Sequence, residues 1–318
     1  MSSTFTFTFR IGFLLLMPGL LFTSSIHAQQ VGTNTNQQKE LQQQRSNAMG
    51  LDSAATTIFP PRKALTETEK EAQRLYMEGS KKGKAGDYLG SIEDLTQSLT
   101  LVENGNTFMK RGFGYLFSSQ YPLALQDFND VLRISPSNRE AIFGRGVARF
   151  EMEDYAESEV DLKQYLDLVN INAMAFNYMA AICFMRQDFQ CALKNYSDVI
   201  RCDSLYLDAY TNRAMIRHYL RDYKGALEDY DVAVIQNPTD KKIYNNRAAA
   251  RMLLKDYTAA LEDFNRAIEL DPLYADAYNN RGRVRYYLGD VEGACSDWQK
   301  ALTFGIEASR ELIIQNCK

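Results

Sequence analysis

Histidine is almost absent from this sequence: 318 residues contain only His27 and His218. So few imidazoles cannot form the histidine clusters that hold zinc, and they leave few partners for a nucleophile–histidine pair. No glycine-rich loop of the kind that cradles phosphates is present either. We therefore expect no enzymatic activity, no catalytic residue, no metal site and no cofactor.

An excess of positive charge is also missing, since 36 lysines and arginines face 40 acidic residues and the net charge is −4. Proteins that bind phosphate backbones through their surface are usually basic. One stretch, "NNRGRVRYYLGD" from Asn279 to Asp290, places three arginines beside two tyrosines and alone would suit a nucleic acid. The overall charge disfavours that interpretation, and we expect no nucleic-acid partner.

A hydrophobic run long enough to span a bilayer comfortably is missing too. The longest run, Ile11 to Phe22, is interrupted by Pro18 and Gly19. It follows Arg10 and precedes "SIHA", which offers a cleavage point after Ala28. Residues 1–28 are therefore predicted to be a signal peptide, with an uncleaved interfacial anchor as the alternative. After cleavage we expect no membrane span.

Residues 29–65 are rich in Gln, Asn and Ser and carry few apolar side chains. Such a segment cannot bury a core, so we predict a disordered linker.

From Gly105 onward the sequence repeats every 34 residues without insertion. Later units begin at Arg139, Ala173, Leu207 and Lys241, and the sixth begins at Ala275. Small residues recur at positions 8 and 20 of the unit, and a large residue recurs at position 24. An aspartate at position 16 in most units can N-cap a second helix, and a proline at position 32 in three units ends it.

These positions resemble the tetratricopeptide repeat family, whose unit is two antiparallel helices. The resemblance implies an all-α, right-handed superhelical solenoid. Residues 105–306 form six tandem units, 66–104 a degenerate N-terminal capping repeat, and 307–318 a C-terminal capping helix.

Arginine at position 7 and aspartate at position 23 depart from the family pattern. The unit that has Met179 instead of the arginine also has Asn195 instead of the aspartate, so the two positions change together. This predicts charge pairs between helices, with an anion-binding ladder as the alternative. The expected pairs are Arg111 with Asp127, Arg145 with Asp161, Arg213 with Asp229, Arg247 with Asp263, and Arg281 with Asp297.

The family resemblance further implies a concave groove lined by the first helix of each unit. Mapped onto this chain, the predicted peptide-binding residues divide into an apolar N-terminal group and a polar, aromatic C-terminal group. The first comprises Phe113, Phe117, Phe143 and Phe150. The second comprises Asn212, Met215, His218, Tyr219, Asn245, Asn246, Asn279, Asn280, Arg283, Tyr286 and Tyr287.

Two parts of this groove have alternative interpretations. Asn212, Asn246 and Asn280 share position 6, where amides can grip a peptide backbone, yet they could equally be solvated amides of a duplicated sequence. The phenylalanines could instead be core between units.

Five cysteines suggest oxidation in an exported protein, with at least one left unpaired. Cys295 and Cys317 could pin the C-terminal helix, and Cys183 with Cys191 is a second possible pair.

Together these features predict an exported scaffold, in the periplasm or secreted from a Gram-negative bacterium, that binds a protein or peptide in its groove. A structural subunit of a cell-envelope or secretion complex is the alternative.

Overall fold

The computed structural model describes residues 65–317, so the predicted signal peptide (1–28) and nearly all of the predicted linker (29–65) lie outside the described residues. Fifteen helices and no strand occur between these limits. They are α1 Glu67–Lys84, α2 Tyr88–Leu101, α3 Gly105–Phe117, α4 Tyr121–Ile134, α5 Arg139–Glu151, α6 Tyr155–Val169, α7 Ala173–Met185, α8 Phe189–Cys202, α9 Leu207–Tyr219, α10 Tyr223–Gln236, α11 Lys241–Leu253, α12 Tyr257–Leu270, α13 Ala275–Tyr287, α14 Val291–Thr303 and α15 Ser309–Asn316.

Helices α3 to α14 form six pairs, which we call units 1 to 6, with helix A first and helix B second in each. Helices α1 and α2 form a further pair before them, here called the N-terminal unit, and α15 packs against α14. The all-α solenoid expected from the repeat is confirmed.

Each turn between helices A and B is set by two neighbouring positions. The residue at position 15 has positive φ whether or not it is glycine, as at Lys255 with φ 64. In five units an aspartate follows and accepts a hydrogen bond from the backbone N–H three residues on, which satisfies a free donor of helix B; unit 1 has Gln120 there, without a side-chain cap. The predicted N-caps are confirmed for Asp154, Asp188, Asp222, Asp256 and Asp290, and Asp87 caps α2 in the same way.

The core recurs once per unit around the large side chain at position 24. All six of these residues are fully buried: Phe128, Leu162, Tyr196, Tyr230, Phe264 and Trp298. The small residue at position 8 lets the two backbones approach. At Gly282, an added Cβ would lie 2.6 Å from the indole nitrogen of Trp298, so no larger residue fits beside that ring.

The helices stack so that each packs on the next along the chain. Successive A helices also contact each other at most junctions, for example α3 with α5 and α11 with α13, whereas successive B helices do not to the same extent. The A helices therefore share one face of the solenoid, which we call the A face.

An arginine–aspartate link joins helix A to helix B in five units. In unit 5, Nε and Nη2 of Arg247 donate to the two carboxylate oxygens of Asp263 at 2.8 and 2.6 Å. Arg251 donates to the same carboxylate at 2.9 Å. The same bidentate bonds occur in Arg111–Asp127, Arg145–Asp161, Arg213–Asp229 and Arg281–Asp297.

The same guanidinium also fastens neighbouring units together. Its remaining nitrogen, Nη1, donates to the residue at position 25 of the preceding B helix, as Arg213 does to Ser197 at 2.9 Å. In four units the cation additionally lies 5.3–5.8 Å from the centre of the ring at position 4. The position-25 acceptors are Thr96, Asn129, Ser197, Asp231 and Asn265.

Burial makes this link sensitive to the loss of either partner. The carboxylate of Asp263 is buried and the guanidinium of Arg247 is largely covered. Burial even raises the pKa of Asp127, although Arg111 acts in the opposite direction. Because desolvation opposes each charge this strongly, removal of one partner leaves an uncompensated buried ion.

Unit 3 replaces this link with a covalent one. Met179 occupies position 7 and Cys183 position 11, where four other units have a second arginine. Cys183 is bonded to Cys191 on α8, with their Cα atoms 5.6 Å apart. The amide of Asn195, at the aspartate position, donates to the carbonyl of Cys191 at 2.9 Å. The preceding position 25 is Lys163, a cation that could not accept from an arginine.

A second disulfide joins Cys295 on α14 to Cys317 at the end of α15, and Cys202 is free. The C-terminal helix is therefore tied covalently to the last unit.

A double-mutant cycle tests the ionic link. Arg247→Ala and Asp263→Ala should each reduce the free energy of unfolding, by about 3–5 kcal/mol, because each leaves a buried charge unpaired. The double variant should lose clearly less than the sum, measured by urea unfolding. Additive losses would show that the two side chains do not depend on each other.

A second prediction concerns unit 3. With Cys295 and Cys317 both changed to serine, reduction should lower the free energy of unfolding by about 2–3 kcal/mol through the remaining disulfide. A variant that rebuilds the ionic link should be indifferent to reductant. It carries Lys163→Asn, Met179→Arg, Cys183→Arg, Cys191→Ala and Asn195→Asp, each copied from another unit. If reductant lowered the free energy of unfolding equally in both proteins, the disulfide would not be the replacement for the ionic link.

Candidate binding surface

A row of large, exposed side chains follows the C-terminal ends of the A helices. Its members share position 13 and occur in five of the six units. They are Phe117, Met185, Tyr219, Leu253 and Tyr287, between 42% and 60% exposed. We call this set the position-13 row.

The rings of the row rest on rings from the preceding unit. The ring of Phe117 stacks on that of Tyr88 at 5.1 Å, and Tyr287 stacks on Tyr257 at the same distance. Tyr219 lies 4.8 Å from Phe189. Each supporting ring is the first residue of a B helix, so one side of the row is held by the scaffold while the other remains open.

Exposed apolar residues at position 14 widen the row. Met152, Leu220, Leu254 and Leu288 directly follow the A helices of four units. Contiguous exposed apolar surface of this kind marks interaction sites.

Glu151 interrupts the row in unit 2. It occupies position 13 at the end of α5, and it accepts a hydrogen bond from the hydroxyl of Tyr121, the ring that would otherwise support an apolar side chain. Burial raises the pKa of Glu151 to about 7, and the bond from Tyr121 only partly opposes this. A carboxylate at a helix C-terminus is disfavoured by the helix dipole as well.

The C-terminal end of the A face carries a chain of amides. Asn280 donates through Nδ2 to Asn245 at 3.3 Å, and Asn245 donates to Asn246 at 3.2 Å. This chain links α13 to α11. It leaves amide groups of Asn246 and Asn280 available to a ligand, because each side chain makes only one of these bonds.

Arg283 differs from the other arginines of α13. Arg281 and Arg285 both bind Asp297, whereas Arg283 forms no ion pair among the described residues and its buried Nε has no hydrogen-bond partner there. Burial lowers the pKa of Arg283, and the nearby Tyr287 only partly offsets this. A desolvated cation without a counter-charge can be stabilised by an anion or carbonyl of a ligand.

Two further titratable groups lie on A helices. Asp276, which the sequence reasoning did not single out, precedes Arg283 by two helical turns on α13; burial raises the pKa of its carboxyl. His218 packs edge-on against Tyr223 at 5.3 Å, and burial lowers its pKa.

Met215 is half-buried against the core of unit 4, and Tyr286 is exposed beside Tyr287.

Part of the predicted groove is corrected by the structure. Phe113, Phe143 and Phe150 are buried, because they pack on rings of the neighbouring helices and form core between them. Asn212 is buried too, and its amide is hydrogen-bonded with the hydroxyl of Tyr196.

Asn245 is likewise buried within the amide chain. Asn279 is occupied, since its side-chain oxygen accepts from Ser309 at 3.0 Å. The evenly spaced ladder of Asn212, Asn246 and Asn280 is therefore incomplete at its first member.

Among residues 65–317, no group of three or more His, Cys, Asp or Glu side chains is arranged to hold a metal ion. Within the same range, no helix is both long and apolar enough to cross a membrane.

A known repeat family matches part of the 34-residue repeat. The family model described as tetratricopeptide repeat matches residues 242–274, which lie in unit 5. Unit 5 is therefore a tetratricopeptide repeat. The other units follow the matched one at the same 34-residue period. No curated protein matches the sequence.

Solved structures show the same fold. A tetratricopeptide repeat protein from Parabacteroides merdae superposes with a TM-score of 0.53 at 16% identity, covering 78% of this chain and 100% of its own. PilF of Pseudomonas aeruginosa gives 0.54 at 16% identity, covering 66% and 97%. YrrB, described as a tetratricopeptide protein with an unusual peptide-binding site, gives 0.52 at 16% identity, covering 58% and 96%.

The raised pKa of Glu151 predicts a pH-dependent stability. Between about pH 4.3, the unfolded value, and about pH 7 the folded state holds a proton that the unfolded state has released, so the free energy of unfolding falls as pH rises. Glu151→Gln removes that loss. It should be more stable than the wild type at pH 8, by about 2 kcal/mol after allowance for solvent screening, and similar at pH 5.

Urea unfolding at both pH values provides the measurement. Glu153→Gln is the matched control, because Gln187 occupies the equivalent turn position in the next unit. The same difference at both pH values would refute a carboxyl held partly protonated by burial.

Proposed function

We propose that this protein is a non-enzymatic interaction scaffold that binds a segment of another protein along its A face. The observation that carries this proposal is the position-13 row. Five large side chains, in five of the six units, are exposed at the same position of the repeat, and three of them pack on rings of the scaffold. A partner lying along successive units would gain affinity by adding small contacts.

The C-terminal end of the surface supplies polar recognition. Arg283 lacks a counter-charge among the described residues, and the amides of Asn246 and Asn280 have spare hydrogen-bonding capacity. These groups suit the backbone and polar side chains of a protein segment. The arginines at positions 7 and 11 do not suit a nucleic acid, because aspartates already hold them.

Two observations support a location in the cell envelope or outside the cell. The sequence of residues 1–28 has the pattern of an export signal, and two disulfides suit an oxidising compartment. The bacterial origin of neighbours such as PilF of Pseudomonas aeruginosa is consistent with a bacterial protein.

A structural subunit of an envelope or secretion complex is the second candidate. It is favoured by exposed apolar residues away from the row, such as Leu205, Ile235 and Leu273, between 68% and 81% exposed. They lie near the ends of helices B, where a second partner could dock.

Selection from a random peptide display library tests the proposal. The targets are the full-length wild type, a row variant and a control variant of equal melting temperature. The row variant carries Tyr219→Ser, Leu253→Ser and Tyr287→Ser, and the control carries Leu205→Ser, Ile235→Ser and Leu273→Ser. Peptides enriched on the wild type should bind the control equally and the row variant at least tenfold more weakly, because only the row variant loses the proposed contact area.

Retained binding by the row variant would exclude the row as the binding surface. Loss of binding in the control alone would favour the second candidate.

A further inference from the structure

Glu151 is a charged side chain within an otherwise apolar and aromatic row. The other five units have Phe, Met, Tyr, Leu and Tyr at this position, each large and exposed. A partner that lies along the row therefore meets a single carboxylate there, at a fixed place between units 1 and 3.

The surroundings of Glu151 are aromatic. Its titratable neighbours are the phenols of Tyr121 from α4, Tyr155 from α6 and Tyr178 from α7. The ring of Phe150 joins them, 5.4 Å from Tyr155 and 5.1 Å from Tyr178. Phe150 is core, but the partly exposed rings of Tyr121 and Tyr155 can attract a cation through their faces, in addition to the carboxylate.

Cations of the chain itself are engaged elsewhere. Arg149, the nearest arginine along α5, binds Asp161 at 2.6 Å. Arg186, which follows α7, and Lys163, on α6, both pair with Glu159. Glu151 forms no ion pair among the described residues, so its carboxylate is half-buried at a helix C-terminus without a counter-charge.

From this arrangement we propose that Glu151, with the rings of Tyr121 and Tyr155, is a recognition site for one lysine or arginine side chain of the bound segment. The inference rests on the proposed function and specifies its partner: an apolar segment with one basic residue at a fixed position. The basic side chain of the partner supplies the counter-charge that Glu151 does not find among the described residues. It also fixes the register of the segment along the row.

The same library selection tests this inference. Peptides are displayed internally, so no free amino terminus competes with a basic side chain. Those enriched on the wild type should share a lysine or arginine at one position relative to their apolar residues. Selection on Glu151→Gln should recover apolar peptides without that basic residue.

Affinity measurements then assign the charge. Replacing the shared lysine by norleucine or acetyl-lysine in a synthetic, N-acetylated peptide should weaken binding to the wild type about tenfold and leave binding to Glu151→Gln unchanged. Binding of the lysine peptide to the wild type should strengthen from pH 5.5 to pH 8, as Glu151 ionises, and binding to Glu151→Gln should not.

The outcomes separate the two proposals. Apolar peptides that bind the row without a shared basic residue, or equal effects of norleucine in both proteins, would overturn the role of Glu151 and leave the row intact. Absence of any row-dependent peptide would overturn both.

Discussion

The forked bond between the arginine at position 7 and the aspartate at position 23 is the interaction on which the rest of the structure depends. A single guanidinium uses two nitrogens to hold helix B of its own unit and a third to hold the preceding B helix, as Arg213 does with Asp229 and Ser197. Only a planar, multi-donor cation can do this, so lysine is no substitute. Repetition of the bond fastens successive units together, and the regular stack brings position 13 to the same place in each unit.

The exception in unit 3 supports this account. Where both arginines and the aspartate are replaced, a disulfide joins the same two helices, and the position-25 acceptor becomes Lys163. Four positions that touch in space change together within one chain. In each of the six units the two helices are joined at this place, by an ionic or a covalent bond. We therefore expect the stability of this unit to depend on whether the disulfide between Cys183 and Cys191 is formed.

Much of the fold follows from the sequence, because each repeated position has a distinct physical task. The joint change at Met179 and Asn195 indicated the partner of each arginine, and the structure joins those side chains directly. The position-25 acceptors cannot be predicted from a repeated residue type, because their side chains differ from unit to unit, from Thr96 to Asp231. The sequence offers one indication of their role: the cation Lys163 stands at position 25 directly before the one unit that has Met179 in place of the arginine.

The binding surface was harder to derive. Family positions indicate which side chains lie on helix A, but they do not show which of them the next unit covers. Phe113, Phe143 and Phe150 were therefore assigned to the groove although they are core. The row follows from the exposure of its side chains in the folded chain, and the place of Glu151 in it follows from the contact with Tyr121. In the sequence Glu151 is one acidic residue among many. Its role follows from the aromatic side chains that surround it in the fold.

Native-state hydrogen exchange on Arg213→Lys tests the coupling between units most directly. Lysine keeps the charge and loses the fork, so protection should fall in α9 and α10 and also in α8, whose Ser197 the arginine holds. Protection lost in α9 and α10 alone, with α8 unchanged, would contradict the account, because the arginine would then fasten only its own unit.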